Sequence, residues 1–165
     1  MASGVAADIS IRPLLPGDAE SCDRIILSLP HHFGHEGGRR QCAHDVRTNP
    51  GLVAVVAGSV VGFLTVQRHF ATSVEITWMA VDAVHRRQGI GQALIRRLCA
   101  DLAADGCRLL LVFTLASSPE EDAFPDGYAG TRAFYQAQGF LAARELSGYW
   151  PGSTALLMVR PLSLS

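Results

Sequence analysis

Between positions 89 and 105 apolar residues recur at every fourth position, as Ile90, Leu94, Leu98 and Leu102, while Arg96, Arg97, Asp101 and Asp105 fill the other side. That spacing predicts an amphipathic helix over 89–105. Gly106 fits the left-handed residue that stops it, and the almost unbroken apolar run 108–115 predicts a strand covered on both faces. Upstream, two β-rich runs, 52–57 and 60–67, are separated only by Gly58 and Ser59, which is a hairpin signature, and a third run spans 74–81. The pattern is an antiparallel meander whose last strand passes into the long helix and then into another central strand.

The flanks extend this picture. A strand is predicted over 9–14, followed by a turn at Pro16, Gly17 and Asp18, with Asp18 as the cap of a helix that reaches Leu29 and stops at Pro30. His31, His32, Phe33, Gly34, His35, Glu36, Gly37 and Gly38 read as a loop before a polar helix over 39–48. The acidic stretch 117–127, with Pro119 and Pro125, reads as a second loop; a helix over 129–138 closed by Gly139 and strands over 141–146 and 154–159 complete the chain. With no internal repeat or linker, the order predicts an α/β fold (mixed α+β): one domain over 1–165, with a mixed, mostly antiparallel sheet of about seven strands and about four helices.

Composition narrows the class. A chain of 165 residues, 48% apolar, is long enough for one core and short for two domains. A formal net charge of -1 provides no overall field toward nucleic acid or an anionic membrane. Cys22, Cys42, Cys99 and Cys107 form no CxxC pair, which reads as a reduced, cytoplasmic protein. Residues 1–8 lack a basic segment followed by an apolar one and are expected to be a flexible N-terminus, and no apolar run approaches the roughly 18 residues of a membrane span.

The segment Arg86, Arg87, Gln88, Gly89, Ile90, Gly91, Gln92 follows a predicted strand and opens the long helix. Glycines let a backbone approach a ligand closely, and the unpaired N–H groups of a first helical turn favour phosphate. The glycines alone do not choose between a dinucleotide and another diphosphate, although Leu94 stands where a dinucleotide turn carries its third glycine. His31, His32, His35, Glu36 and His44 match no closed zinc spacing, so no metal is expected. Glu120, Glu121, Asp122 and Asp126 are either a lure for a cationic substrate or a solvated loop, and Arg39 and Arg40 form a small basic patch.

In this context Arg86-x-x-Gly89-x-Gly91 resembles the R/Q-x-x-G-x-G/A signature of the GNAT N-acetyltransferase superfamily. The stretch from Glu75 to Val81 resembles the strand that precedes it in histone-type members. Thr131 to Phe140 resembles the late helix ending in FYxxxGF, and Tyr149 to Pro161 the closing strands of a bacterial-type subgroup with uncharacterised acceptors. The likeness covers about Ile9 to Leu162.

It implies acetyl-CoA as donor co-substrate, with its pyrophosphate on Arg86, Arg87, Gln88, Gly89, Ile90, Gly91 and Gln92, and its pantetheine and thioester along the main chain of Met79, Ala80 and Val81. It also implies Glu75 as general base, Tyr135 as general acid, a small-molecule or protein amine near His32, Phe33, Thr114 and Trp150, and compatibility with a homodimer. Read from their elements alone, Glu75 is also the polar face of a half-solvated strand and Tyr135 a buried structural tyrosine. Three positions depart from the likeness: Tyr128 replaces a cofactor-contacting Asn, His32 an aromatic residue of the early loop, and Phe113 a lysine of the fifth strand. The rival expectation is a catalytically silent acyl-CoA-binding sensor, which needs the glycine turn but neither Glu75 nor Tyr135.

Overall fold

The computed structural model describes residues 7–33, 35–123 and 127–163. In chain order these form β1 (Ile9–Pro13), α1 (Ala19–Leu27), α2 (Glu36–Thr48), β2 (Gly51–Val56), β3 (Ser59–Phe70), β4 (Ser73–Val81), α3 (Ile90–Ala104), β5 (Leu109–Leu115), α4 (Pro119–Asp122), α5 (Tyr128–Ala137), β6 (Leu141–Trp150) and β7 (Ser153–Pro161). The seven strands make one sheet in the order β1-β2-β3-β4-β5-β7-β6. Every pairing is antiparallel except β4 with β5, which run parallel because α3 carries the chain from one to the other.

Two apolar layers fix the sheet. On one face, here the back, Ile90, Leu94 and Leu98 of α3 pack with Val74, Ile76, Leu110 and Val112 and with Tyr135 and Phe140 at the α5 end. On the front, Ile25, Ile26, Cys42 and Val46 of α1 and α2 pack with Val53, Phe63 and Ala80. A fully buried side chain such as Leu94 or Phe63 contributes about 1.5–3 kcal/mol. The front helices reach β2, β3 and β4 but not the rest: Leu109 and Leu141 are exposed, and Leu111, Phe113, Leu157 and Val159 are only half-buried.

Several boundaries differ from expectation, each for a local reason. The hairpin turn sits at Ala57 and Gly58, both with positive φ, one residue before the expected pair, so a non-glycine residue occupies a left-handed position. Helix α2 starts at Glu36, because the His35 imidazole accepts a hydrogen bond from Gly38 N–H and caps the turn that its glycines suggested would be loop. Asp18 stands at the N-cap position of α1 as expected, but its side chain makes no capping hydrogen bond to the helix. Its buried carboxylate instead accepts from Leu15 N–H and both terminal nitrogens of Arg12, and hydrogen bonding to Arg12 holds its pKa below the usual carboxylate range.

Within the expected loop 117–127, Ser118 Oγ accepts from Glu121 N–H and starts the one-turn α4. That gives five helices among the described residues where four were expected. Residues 1–6, Gly34, Pro125 and Asp126, all named in the sequence expectations, lie outside the described residues.

Candidate active site

The turn before α3 follows from two backbone conformations. Arg87 has φ 62° and Gly89 φ 79°, so the chain makes two left-handed steps before Ile90 begins the helix. The first intrahelical bond runs from Ala93 N–H to the Gly89 carbonyl, and no side chain caps the end, so the N–H groups of Ile90, Gly91 and Gln92 have no helical partner. The two glycines have different causes. A Cβ on Gly89 would meet nothing within 4 Å, so its glycine is conformational; one on Gly91 would stand 3.0 Å from Phe134 of α5, so that glycine also serves helix packing. Arg86, Arg87, Gln88 and Gln92 are exposed, while Ile90 anchors the turn in the core.

A fork opens beside this turn. The parallel ladder pairs Ser73–Ile76 with Leu109–Val112 and then stops, although β4 continues to Val81 and β5 to Leu115. A bulge helps to divide them: Thr65 pairs with Trp78 and Val66 with Ile76, leaving Thr77 as the extra residue, its hydroxyl 2.7 Å from that of Thr65. The bulge also resets the alternation. Glu75 and Trp78 both face front, whereas Val74, Ile76, Met79 and Val81 face the α3 side. Met79, Ala80 and Val81 thus present an unladdered main chain on the β5 side of the fork.

At the closed end of the fork, on the front, the structure gathers an acid and an aromatic wall. Glu75 is one residue before the last β4 pair and Phe113 one residue past the last β5 pair. The Glu75 side chain is 14% exposed and its Oε1 lies 2.8 Å from Nε2 of His69, which occupies a second bulge near the end of β3. Tyr149 of β6 stacks on Phe113 with centroids 4.6 Å apart and an 8° interplanar angle, and Trp150 meets Tyr149 edge-on at 5.3 Å. Desolvation, then the neighbouring Glu75 charge, raises the pKa of the Tyr149 hydroxyl.

The remaining expected residues separate. Tyr135 is 5% exposed, set between Phe134 and Phe140 on the back, opposite Glu75. Burial raises the pKa of its hydroxyl, so the phenol is held protonated as a hydrogen-bond donor. Thr114 is buried on β5, and its hydroxyl has no hydrogen-bond partner. Phe33 packs on Trp78 at 5.9 Å, while His32 meets the Tyr128 ring edge-on and accepts a 3.1 Å hydrogen bond from the Tyr128 hydroxyl at its carbonyl, so the loop after α1 is tied to α5.

Two acids of the acidic stretch are used internally. Glu121 accepts from Tyr128 N–H, and Asp122 accepts from Ser117 and Arg132. All four cysteines are unpaired and buried, and burial pushes the thiols of Cys22 and Cys42 up to about 12. Among the described residues no three His, Cys, Asp or Glu side chains gather in a metal-ligating group, and no helix is long and apolar enough to cross a membrane.

Sequence reasoning missed His69, which lies beyond the expected end of its strand, and the pairing of Phe113 with Tyr149, which depends on the β5-β7-β6 order. The extension of β3 to Phe70 is the one local signal that would have placed His69 beside Glu75.

The geometry matches known structures. A Desulfovibrio desulfuricans protein assigned to the GNAT family superimposes with a TM-score of 0.78 at 21% identity, covering 94% of this chain and 100% of its own. A ribosomal-protein alanine N-acetyltransferase from Escherichia coli gives 0.75 at 22% identity, covering 96% of each chain. A GNAT family acetyltransferase from Elizabethkingia anophelis with acetyl-CoA bound gives 0.72 at 17% identity, covering 93% and 98%. These likenesses establish the fold. No curated protein matches the chain significantly in sequence. The family profile for the acetyltransferase (GNAT) domain matches residues 49–141, which run from the end of α2 through the fork and the glycine turn to the start of β6, and the chain therefore belongs to the GNAT acetyltransferase family.

Proposed function

We propose that the protein transfers an acetyl group from acetyl-CoA to a primary amine by direct attack within a ternary complex. The observation that carries the reading is the fork between β4 and β5 beside an uncapped, glycine-built helix start. Free N–H groups at the positive end of α3 suit a diphosphate, and Arg86 and Arg87 add charge there. The open main chain of Met79, Ala80 and Val81 suits the amide-bearing pantetheine arm, which can pair with it as an added strand would. The orphaned Thr114 hydroxyl in the diverging part of β5 fits the same occupant, because a buried hydroxyl without a partner is costly and an amide would satisfy it. The bound acetyl-CoA of the Elizabethkingia protein supports this choice of donor.

Acetyl-CoA supplies a thioester carbonyl, and the chain supplies the rest. Glu75 takes a proton from the incoming ammonium, directly or through a water. The amine nitrogen then bonds to the carbonyl carbon, the carbon–sulfur bond breaks with the electron pair leaving on sulfur, and the second proton shed by nitrogen passes through solvent to the thiolate. Tyr135 donates a hydrogen bond to that sulfur from the back of the sheet, its raised pKa keeping the phenol protonated. The burial and raised pKa of Cys22 and Cys42 argue against an acyl-cysteine intermediate on either. The test is Glu75→Gln. Thiol release is expected to fall by about 100-fold or more while acetyl-CoA binding persists; an unchanged rate and pH profile would remove Glu75 from the role.

A further inference from the structure

The carboxylate of Glu75 is joined to an aromatic surface. It lies where the β4–β5 ladder ends, with one oxygen held by His69, and Phe113 begins on the next strand at the point where the ladder has stopped. Phe113 carries Tyr149 in a near-parallel stack, and Tyr149 carries Trp150 on its edge. With one face against Phe113, Tyr149 is still 47% exposed, so part of the wall is open to solvent. Half-buried Leu111 and Leu157 flank Phe113 on the same front face.

We infer that this surface selects an arylalkylamine, a primary ammonium joined by a short aliphatic link to a flat aromatic ring, with the ammonium on Glu75 and the ring against the open part of Tyr149 beside Phe113. The inference rests on the acetyl-transfer reading above. A 14% exposed carboxylate beside apolar rings is complementary to one cation, which it neutralises as water is excluded. The rings then offer stacking area to a second planar group. A second ammonium, as in a polyamine, would be desolvated against uncharged rings. His69 acts as a positioning residue, because a hydrogen bond to Oε1 fixes the carboxylate and leaves Oε2 for the amine.

The experiment measures free-thiol release from acetyl-CoA with four acceptors: 2-phenylethylamine, n-hexylamine, spermidine and a short peptide with a free N-terminal alanine. Acetyl-CoA binding is measured on the same preparation by calorimetry. The value of kcat/KM is expected to be about tenfold or more higher for 2-phenylethylamine than for the others. Tyr149→Ala, a change at an exposed ring, is expected to raise KM for 2-phenylethylamine about five- to tenfold and to collapse its advantage over n-hexylamine, whereas Tyr149→Phe retains it. Preference for spermidine or the peptide, or an unchanged KM in Tyr149→Ala with native thermal unfolding, would overturn the inference and leave acetyl transfer standing. Absence of acetyl-CoA binding, or binding without turnover on any acceptor, would overturn the transfer reading itself.

Discussion

The two sides of the fork are built in opposite ways. The side proposed to face the phosphates is seven consecutive residues, 86–92, whose shape is set by two left-handed backbone steps and a helix start. The side proposed to face the acceptor is made of His69, Glu75, Phe113, Tyr149 and Trp150, drawn from β3, β4, β5 and β6 and brought together only by the sheet order. The first is a property of backbone and tolerates side-chain change; the second is a property of side chains and requires the whole fold. A cofactor common to many acceptors suits the first construction, and selection among acceptors suits the second.

Substitutions can separate the two, and the largest effect belongs to the acceptor side. In Glu75→Gln the loss of about 100-fold or more in kcat should leave the calorimetric titration with acetyl-CoA unchanged, so that chemistry and cofactor binding part cleanly. The converse is Gly89→Ala, which forces a side chain into φ 79° at a cost of about 1–2 kcal/mol. Because nothing lies within 4 Å of the new Cβ, that cost is conformational. It is expected to weaken acetyl-CoA about tenfold, read by titration, while saturating donor restores the rate.

Thr114→Val tests the fork between the two sides. Replacing an unpartnered buried hydroxyl by a methyl should stabilise the free protein by about 1 kcal/mol in thermal unfolding and weaken acetyl-CoA severalfold. The smallest effect is Arg87→Gly. Relief of the φ 62° strain should raise stability by under about 1 kcal/mol, and retention of most acetyl-CoA affinity would show that main-chain N–H groups, more than this guanidinium, hold the diphosphate.

The same division explains what could be read without coordinates. Helix α3 was legible because Ile90, Leu94, Leu98 and Leu102 repeat at helical spacing, and the turn before it because Gly89 and Gly91 are neighbours in the chain. The place of Glu75 in β4 was legible by likeness, since it lies six residues before Val81 in a continuous strand. His69 was not, because a bulge between Arg68 and Phe70 decides where its ring points, and no periodicity encodes an extra residue. The Phe113–Tyr149 stack was hidden for a similar reason: 36 residues separate the two rings, and β7 intervenes in the sheet. The packing of Phe134 against Gly91 was hidden as well, because that ring belongs to another helix.

The central claim is that the fork and its helix start bind acetyl-CoA. Calorimetric titration of the intact protein with acetyl-CoA, repeated with excess CoA and with excess NAD, tests it most directly. Saturable one-to-one binding abolished by CoA and untouched by NAD is the expected result; no binding heat with folded protein, or displacement by NAD, would contradict the account.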